Sequence, residues 1–436
     1  MMFKNNPIAS EALDLMLKTN QNLYITGDAG TGKSTLLREF LKNTTKKVAV
    51  LAPTGMAAVN VGGETIHSFC RFNTDPGWKL LEEGKIHKLK DNRRVSSIDT
   101  LVIDEISMVR SDMLDCLDRF FRLNKNKNKR PFGGVQVIFF GDHFQLPPVL
   151  RSTERGEFLE RYKSEYFFGA KCFEDLDLKY IKLTHNYRQS EAEFIKLLNY
   201  LRYGAVNFQL IDWINNRFLG KRVTSKTKPI TITAINKDAS DINLQELDKL
   251  LVEEIAYKAL ITGDFGQELY PTEKYLVLKV GAQVMFIKND PEKRWVNGTL
   301  GVVQELDKNT IIVKVEDKLV EVDISSWEAH KYRFDEDKGE TVKDVVGSFN
   351  QYPLKLAWAV TIHKSQGQTF DNCMINMGRG AFIFGQTYVA FSRCRTMKGL
   401  YLLNPLKITD IKADPAVFIF DRGIRWNSKE ESFMKG

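Results

Sequence analysis

The run GDAGTGKS, from Gly27 to Ser34, fits the spacing G-x-x-x-x-G-K-[ST]. Each position in that pattern serves the holding of phosphate. Glycines let successive backbone N–H groups wrap phosphate oxygens, and the start of a helix adds a favourable dipole. Lys33 can reach the β- and γ-phosphates of a nucleoside triphosphate, and the Ser34 hydroxyl can ligate Mg²⁺. Gly27, Ala29, Gly30, Thr31, Gly32, Lys33, Ser34 and Thr35 are the expected contacts. The apolar run NLYIT before the loop and the helical pattern KSTLLREFLKN after it supply the context the motif requires.

A second element is TLVIDEIS, in which an apolar run ends in Asp104 and Glu105. Ligands of parallel sheets bind at the carboxyl ends of strands. There Asp104 can hold Mg²⁺ through water, and Glu105 can take a proton from, or orient, an attacking water. The same letters would also serve as a helix cap with an acidic first turn. Beside a phosphate loop, the catalytic reading is preferred.

These groups need a scaffold, and the apolar runs describe one. NLYIT, KKVAVLA, TLVID, VQVIFFG, YIKLT, ITITAI, CMINM and LYLL have the length and β-branching of buried strands. Helical patterns such as SDMLDCLDRFFRL lie between many of them, which predicts parallel α/β sheets, with enough strands for two. The alternation lapses over residues 62–97, rich in Lys, Arg and Gly, and again over 257–347. The second lapse contains AQVMFIKND, TLGVVQEL, TIIVKVED and KLVEVDI, which predict a small antiparallel barrel inserted in the second α/β unit. The low-complexity run NKNKNKR, 124–130, is expected to be a solvated loop.

Composition narrows the class. The chain of 436 residues is 43% hydrophobic, long enough for several cores. No apolar run approaches the ~18 residues of a membrane span. The first residues resemble neither a secretory signal nor a transit peptide, so the expected location is cytoplasmic. Five cysteines without a C-x-x-C pair argue against a disulfide framework or a zinc site. Lys plus Arg outnumber Asp plus Glu by 63 to 55, a balance that permits a polyanionic partner without requiring one.

The guanine-reading pattern N-K-x-D is absent, since NKDAS places Asp238 one position early. The transporter signature L-S-G-G-Q is absent too. A series of further blocks runs in order: APTGMAA, GGETIHSF, DEISMVRSDMLDCLDRFFR, PFGGVQVIFFGDHFQLPPV, LTHNYRQ, TITAINKDASDIN, VGAQVMFIKND, VNGTLGVV, LAWAVTIHKSQGQTFD and YVAFSRCR. From Leu23 to Arg395 this series closely resembles the Pif-type (petite integration frequency) DNA helicases of superfamily 1B.

The resemblance implies two RecA-like domains with ATP and Mg²⁺ between them. It implies residues 1–61 and 98–185 as the first (1A) and 62–97 as a 1B insert carrying a wedge. Residues 186–256 and 348–405 would form the second (2A), 257–347 an SH3-like 2B insert, and 406–436 a C-terminal extension. Lys33, Asp104, Glu105, Gln145, Arg188 and Arg393 become the implied catalytic set, with Gly367 beside the nucleotide and Ser34 and Asp104 on the metal. Arg188 and Arg393 look like the arginines that enter the cleft from the second domain. The implied activity is ATP-dependent 5′-to-3′ movement on single-stranded DNA with separation of duplex or forked DNA, by a chain monomeric in the absence of DNA.

Implied DNA contacts are Pro53, Thr54, Met56, Thr65, His67, Ser68 and His143, and on the second domain Asn236, Thr361, His363, Lys364 and Ser365. They are expected across the face opposite the ATP loops. Small hydroxyls and amides suit phosphate hydrogen bonds that are made and released at each step. Phe69 and Phe72 could stack bases or belong to the core, and Trp78 could pack internally. One departure is visible: relatives often carry an adenine-reading Gln upstream of the phosphate loop, and NNPIASEALDLM has none, leaving Asn5 or Asn6 as stand-ins. Rival readings are an RNA helicase, a translocase that does not unwind, and an ATP-dependent clamp. The tail after Leu406 suggests no mechanism.

Overall fold

The computed structural model describes residues 3, 6–72, 76–223, 228–335 and 340–424. Six parallel strands form the first sheet, in the order Glu64–Thr65, Val48–Ala52, Thr100–Ile103, Gln136–Phe140, Asn22–Gly27 and Leu178–Leu183. Thr100–Ile103 and Gln136–Phe140 are buried at every position, as parallel strands covered on both faces must be. One face packs Phe69, Phe120, Phe121, Phe139 and Phe167; the other packs Leu13, Met16, Leu36 and Phe40.

The second sheet has four parallel strands, in the order Ala359–Thr361, Ile230–Thr233, Cys373–Asn376 and Leu400–Leu402. Helices Ala192–Arg202, Phe208–Phe218 and Gln386–Phe391 cover it, burying Leu198, Ile214 and Phe391 among others. The two sheets are thus separate α/β layers, each with its own core.

The two lapses in the alternation have different outcomes. In the first, Glu64–Thr65 joins the edge of the first sheet, and Ile66, Phe69, Leu80 and Val95 belong to that sheet's core. Phe69 is fully buried, Phe72 packs edge-on against Phe120, and Trp78 is buried with Phe158 and Tyr162. None of these three is an open stacking surface. The second lapse is antiparallel throughout, as sheets of five, three and two strands. Its strands run from Glu254 to Leu356, slightly outside the 257–347 expected. The long hairpin Ser325–Asp335 and Glu340–Gln351 reaches the first sheet, where Tyr332 joins the core and its hydroxyl accepts the Val50 N–H at 3.1 Å.

The segment after Leu406 straps the two layers together. Leu406 exchanges two hydrogen bonds with the Asn215 side chain in the second layer. Helix Pro415–Gly423 then lies on the first layer, with Tyr166 donating to Asp414 at 2.9 Å and Phe420 stacked on Phe168 at 4.2 Å. Residues 425–436 of the expected extension lie outside the described residues. Among the described residues, no helix is long and apolar enough to cross a membrane, and all five cysteines are buried and free.

Candidate active site

The phosphate loop follows strand Asn22–Gly27 and opens helix Lys33–Asn43. Gly32 caps that helix in the left-handed region, at φ 87°. Gly30 stands at φ 89°, and a Cβ there would meet the Arg188 Cβ at 2.4 Å. Only glycine permits both the torsion and the close approach. The segment after the sixth strand grips the loop: the Tyr187 N–H donates to Gly30 O at 2.9 Å and Asn186 Nδ2 to Ala29 O at 3.2 Å. Lys33 Nζ donates to Gly27 O at 2.7 Å and Asp28 O at 3.2 Å, and burial lowers its affinity for a proton.

A cavity of about 660 Å³ opens on this loop. Its walls include Gly30, Thr31, Gly32, Lys33, Ser34 and Thr35 from the first layer, Glu105 and Gln145 from neighbouring strand ends, and Gly367, Thr369, Arg393 and Arg395 from the second layer. Ala29, Arg38, Arg188, Tyr187 and Phe3 complete it. The volume is within the range of small-molecule sites. Glu105 adopts a left-handed conformation at φ 50°, which is uncommon for a residue with a Cβ and characteristic of functional sites.

Asp104 stands one residue before it, at the end of strand Thr100–Ile103. Burial and the adjacent Glu105 push the Asp104 carboxyl up to about 7, and burial raises Glu105 as well. A cation between these carboxylates and a phosphate would favour their ionised forms. The hydroxyl of Ser34 and the carboxylate of Asp104 are hard oxygen donors of the kind Mg²⁺ takes. The donor set and the glycine-only cradle both fit a Mg²⁺–triphosphate.

Arg393 is buried at the rim of the second layer. Its guanidinium donates to Val389 O at 3.0 Å, Ser365 O at 3.2 Å and Ser392 Oγ at 2.8 Å. Arg188 lies on the linker between the layers and donates to Ser392 O at 3.2 Å. Burial, and then Arg393, lower Arg188 to about 9.

Several residues of this site carry no motif signal of their own. Arg202 lies between Asp28 and Asp142, and the Tyr388 hydroxyl donates to Asp142 at 3.2 Å. A charge at helical spacing on an apolar face was the available clue, since Arg202 follows Leu198 by four residues. Asn6 caps helix Pro7–Lys18 through its carbonyl oxygen and donates to the Tyr187 hydroxyl at 3.1 Å. Its amide is therefore already engaged at the cavity wall; Asn5 lies outside the described residues.

The candidate DNA residues divide. Pro53, Thr54 and Met56 follow strand Val48–Ala52; Thr65 ends the edge strand, and His67 and Ser68 follow it. They lie at the same carboxyl ends as the phosphate loop, displaced to the sheet edge, and not on an opposite face. Parallel strands all end on one side, so loops of both kinds share it. Met56, Ser68, Asn236 and Lys364 are exposed; Pro53, Thr54, Thr65, His67 and His363 are half-buried. Thr361 and Ser365 are buried, the Ser365 hydroxyl donating to Ile362 O at 2.8 Å. His143 is also buried, between the Tyr24 hydroxyl and Asp421, so its imidazole presents no surface to DNA. The strap's last helix covers it, a long-range contact that the motif could not reveal.

Comparison with known proteins agrees with this architecture. Residues 7–211 match the PIF1-like helicase family, and residues 269–306 match the 2B domain of the DNA helicase Pif1. The ATP-dependent DNA helicase Pif1 of Bdellovibrio bacteriovorus is 33% identical over 430 residues, covering 95% of this chain and 91% of that protein. The ATP-dependent DNA helicase PIF1 of Emericella nidulans is 31% identical, and the match covers 94% of this chain and 62% of that longer protein. Pif1 from Bacteroides in complex with ADP-AlF4 superposes with a TM-score of 0.86 at 34% identity, covering 97% of each chain. Unliganded Bacteroides Pif1 gives 0.85 and the single-stranded-DNA complex 0.68, both at 35% identity and 96% coverage of each chain. From these matches and the two-layer site, the chain belongs to the Pif1 helicase family.

Proposed function

We propose that the chain is an ATP-dependent DNA helicase that hydrolyses ATP between its two parallel layers and uses the cycle to move along single-stranded DNA and open duplex. One observation carries this reading. The phosphate loop of one layer and Arg393 of the other line the same cavity, so the terminal phosphate of ATP can bias how the layers sit.

In this reading Lys33 contacts the β- and γ-phosphates, while Ser34 and Asp104 hold Mg²⁺, which neutralises charge on the phosphates. Glu105 orients the attacking water and accepts its proton. The Gln145 amide contacts the water or γ-phosphate. Arg188 and Arg393 stabilise charge as the phosphoryl group transfers, a contribution of about 10³–10⁵ in rate for arginines of this type. Pro53, Thr54, Met56, Thr65, His67, Ser68, Asn236, His363 and Lys364 form the DNA track at the sheet edges. Residues 1–61 with 98–185 and 186–256 with 348–405 act as the two moving domains. The chain works as a monomer before it meets DNA, and inside the cell it is found with DNA.

Strand displacement on duplexes carrying only a 5′ or only a 3′ single-stranded tail tests the reading. Unwinding of the 5′-tailed DNA alone, dependent on ATP, is expected. Unwinding of RNA but not DNA would replace the substrate, and hydrolysis without displacement would leave a translocase or clamp.

A further inference from the structure

We propose that Arg202 is a positioning residue for hydrolysis, clamping the phosphate loop and the Gln145 loop to the second layer so that both are aligned only while the layers are docked. The proposal deepens the reading above and rests on ATP being hydrolysed at this cavity.

Arg202 is the last residue of helix Ala192–Arg202 and is 3% exposed. Its Nη2 donates to Asp142 Oδ1 at 2.8 Å. Its Nη1 donates to the Tyr203 hydroxyl at 3.1 Å and pairs with Asp28 Oδ1 at 2.6 Å, a contact of charge without hydrogen-bond alignment. The Phe144 ring backs the guanidinium at 4.4 Å. One side chain of the second layer thereby bridges two carboxylates of the first, each on a loop that lines the cavity.

The second oxygen of Asp142 continues the chain of contacts. It accepts from Gln145 Nε2 at 3.3 Å and from the Tyr388 hydroxyl at 3.2 Å. The Tyr388 oxygen in turn accepts the Ala29 N–H of the phosphate loop at 3.1 Å. Asp28, Ala29, Asp142 and Gln145 belong to the first layer, and Arg202 and Tyr388 to the second. The contacts close into a ring that exists only across the interface.

Two consequences follow from the chemistry. A carboxylate can only accept, so Asp142 draws the NH₂ end of the Gln145 amide and turns its carbonyl oxygen away. That oxygen is the end able to accept a hydrogen bond from an attacking water. Asp28 and Asp142 would also repel a triphosphate, and the guanidinium offsets both charges. Burial alone would raise the Asp142 carboxyl, yet Arg202 and Lys33 outweigh burial and hold it well below the usual carboxylate range. Withdrawal of Arg202 as the layers part would release Asp142, the acceptor that orients Gln145, and leave Asp28 and Asp142 with less compensating charge beside the phosphates.

The test is steady-state hydrolysis by the full chain with saturating single-stranded DNA, alongside titration with a fluorescent ADP analogue. Arg202→Lys keeps the charge but cannot bridge both carboxylates. It should lower kcat about 10–100-fold, as misplacement near 1 Å does, with analogue affinity changed less than about threefold. Because Arg202 acts in part through Gln145, the losses of Arg202→Lys and Gln145→Ala should combine to less than their product in the double variant. A wild-type kcat for Arg202→Lys, losses that multiply in the double variant, or a loss explained by analogue affinity alone would each overturn the proposal. Should Arg202→Lys fail to fold, Tyr388→Phe removes one hydroxyl from the same ring. It should slow hydrolysis by roughly the ~2–10-fold of a single hydrogen bond, again without multiplying with Gln145→Ala, and an unchanged rate would overturn the proposal. Failure of the wild-type chain to hydrolyse ATP would sink the functional reading and this proposal together, whereas an active wild type with a fully active variant sinks only the role of Arg202.

Discussion

His143 Nε2 donates to Asp421 Oδ1 at 2.9 Å, joining the loop that carries Gln145 to helix Pro415–Gly423. The other ring nitrogen lies 2.8 Å from the Tyr24 hydroxyl, which donates to it in the neutral tautomer. Burial depresses the imidazole below its ordinary value, against the opposing pull of Asp421 and Asp142 and with a smaller push from Arg202. The ring is a structural joint between the cleft and the strap.

That joint predicts a pH dependence of stability. Because the folded value is depressed, the stabilisation is complete above the unfolded value near 6.5 and is lost as pH falls through the folded value. Asp104, raised to about 7, works in the opposite sense over pH 8 to 5.5, so the His143 contribution is read from thermal melts as the difference between wild type and variant, with wild type losing more or gaining less at the acid end. His143→Gln should cost about 1–3 kcal/mol at pH 7.5 and less at the acid end. His67 and His363, also depressed by burial, titrate in both proteins and drop out of that difference. Identical slopes for the variant and wild type would remove His143 from this role.

The strap itself can be weighed. Phe420 is half-buried and stacks on Phe168, so Phe420→Ala should cost about 2 kcal/mol, less than a fully buried phenylalanine. Urea denaturation measures it, and a change below ~0.5 kcal/mol would mean that the helix is not held there in solution.

Lys33→Ala should lower ATP hydrolysis by at least about 10²–10³-fold, since a preorganised charge at the transferred phosphate is lost. Affinity for a single-stranded oligonucleotide, read by fluorescence anisotropy without nucleotide, should hold steady. Full hydrolysis by this variant would remove the phosphate-loop assignment.

Arg393→Ala and Arg188→Ala should each slow hydrolysis, Arg393→Ala by about 10³-fold or more. Arg393 also satisfies carbonyls of its own layer, so a melting curve must accompany the rate. A folded Arg393→Ala variant with a wild-type rate would exclude Arg393 from the transferred phosphate.

Lys364 is exposed, whereas His143 is enclosed. Single-strand affinity should fall with salt, and Lys364→Ala should reduce the log–log slope by about 0.7, the value for one phosphate contact. His143→Gln should leave that slope unchanged. An unaltered slope in Lys364→Ala would take this lysine off the track.

The phosphate loop was legible because its geometry is local. Gly30 and Gly32 set backbone torsions for their immediate neighbours, and the strand and helix flanking them are encoded in adjacent apolar patterns. Asp104, Glu105 and the alternation of strands with helices are local in the same sense. The enclosure of His143 was not legible, nor was the burial of Thr361 and Ser365, because each depends on segments distant along the chain. His143 and Asp421 are 278 residues apart, and Arg202 and Asp142 are 60 apart. No spacing rule links such pairs. They meet because the two separately packed layers dock and helix Pro415–Gly423 lies on the first, and only that docking decides which polar side chains of a motif face the nucleotide and which become part of the interior.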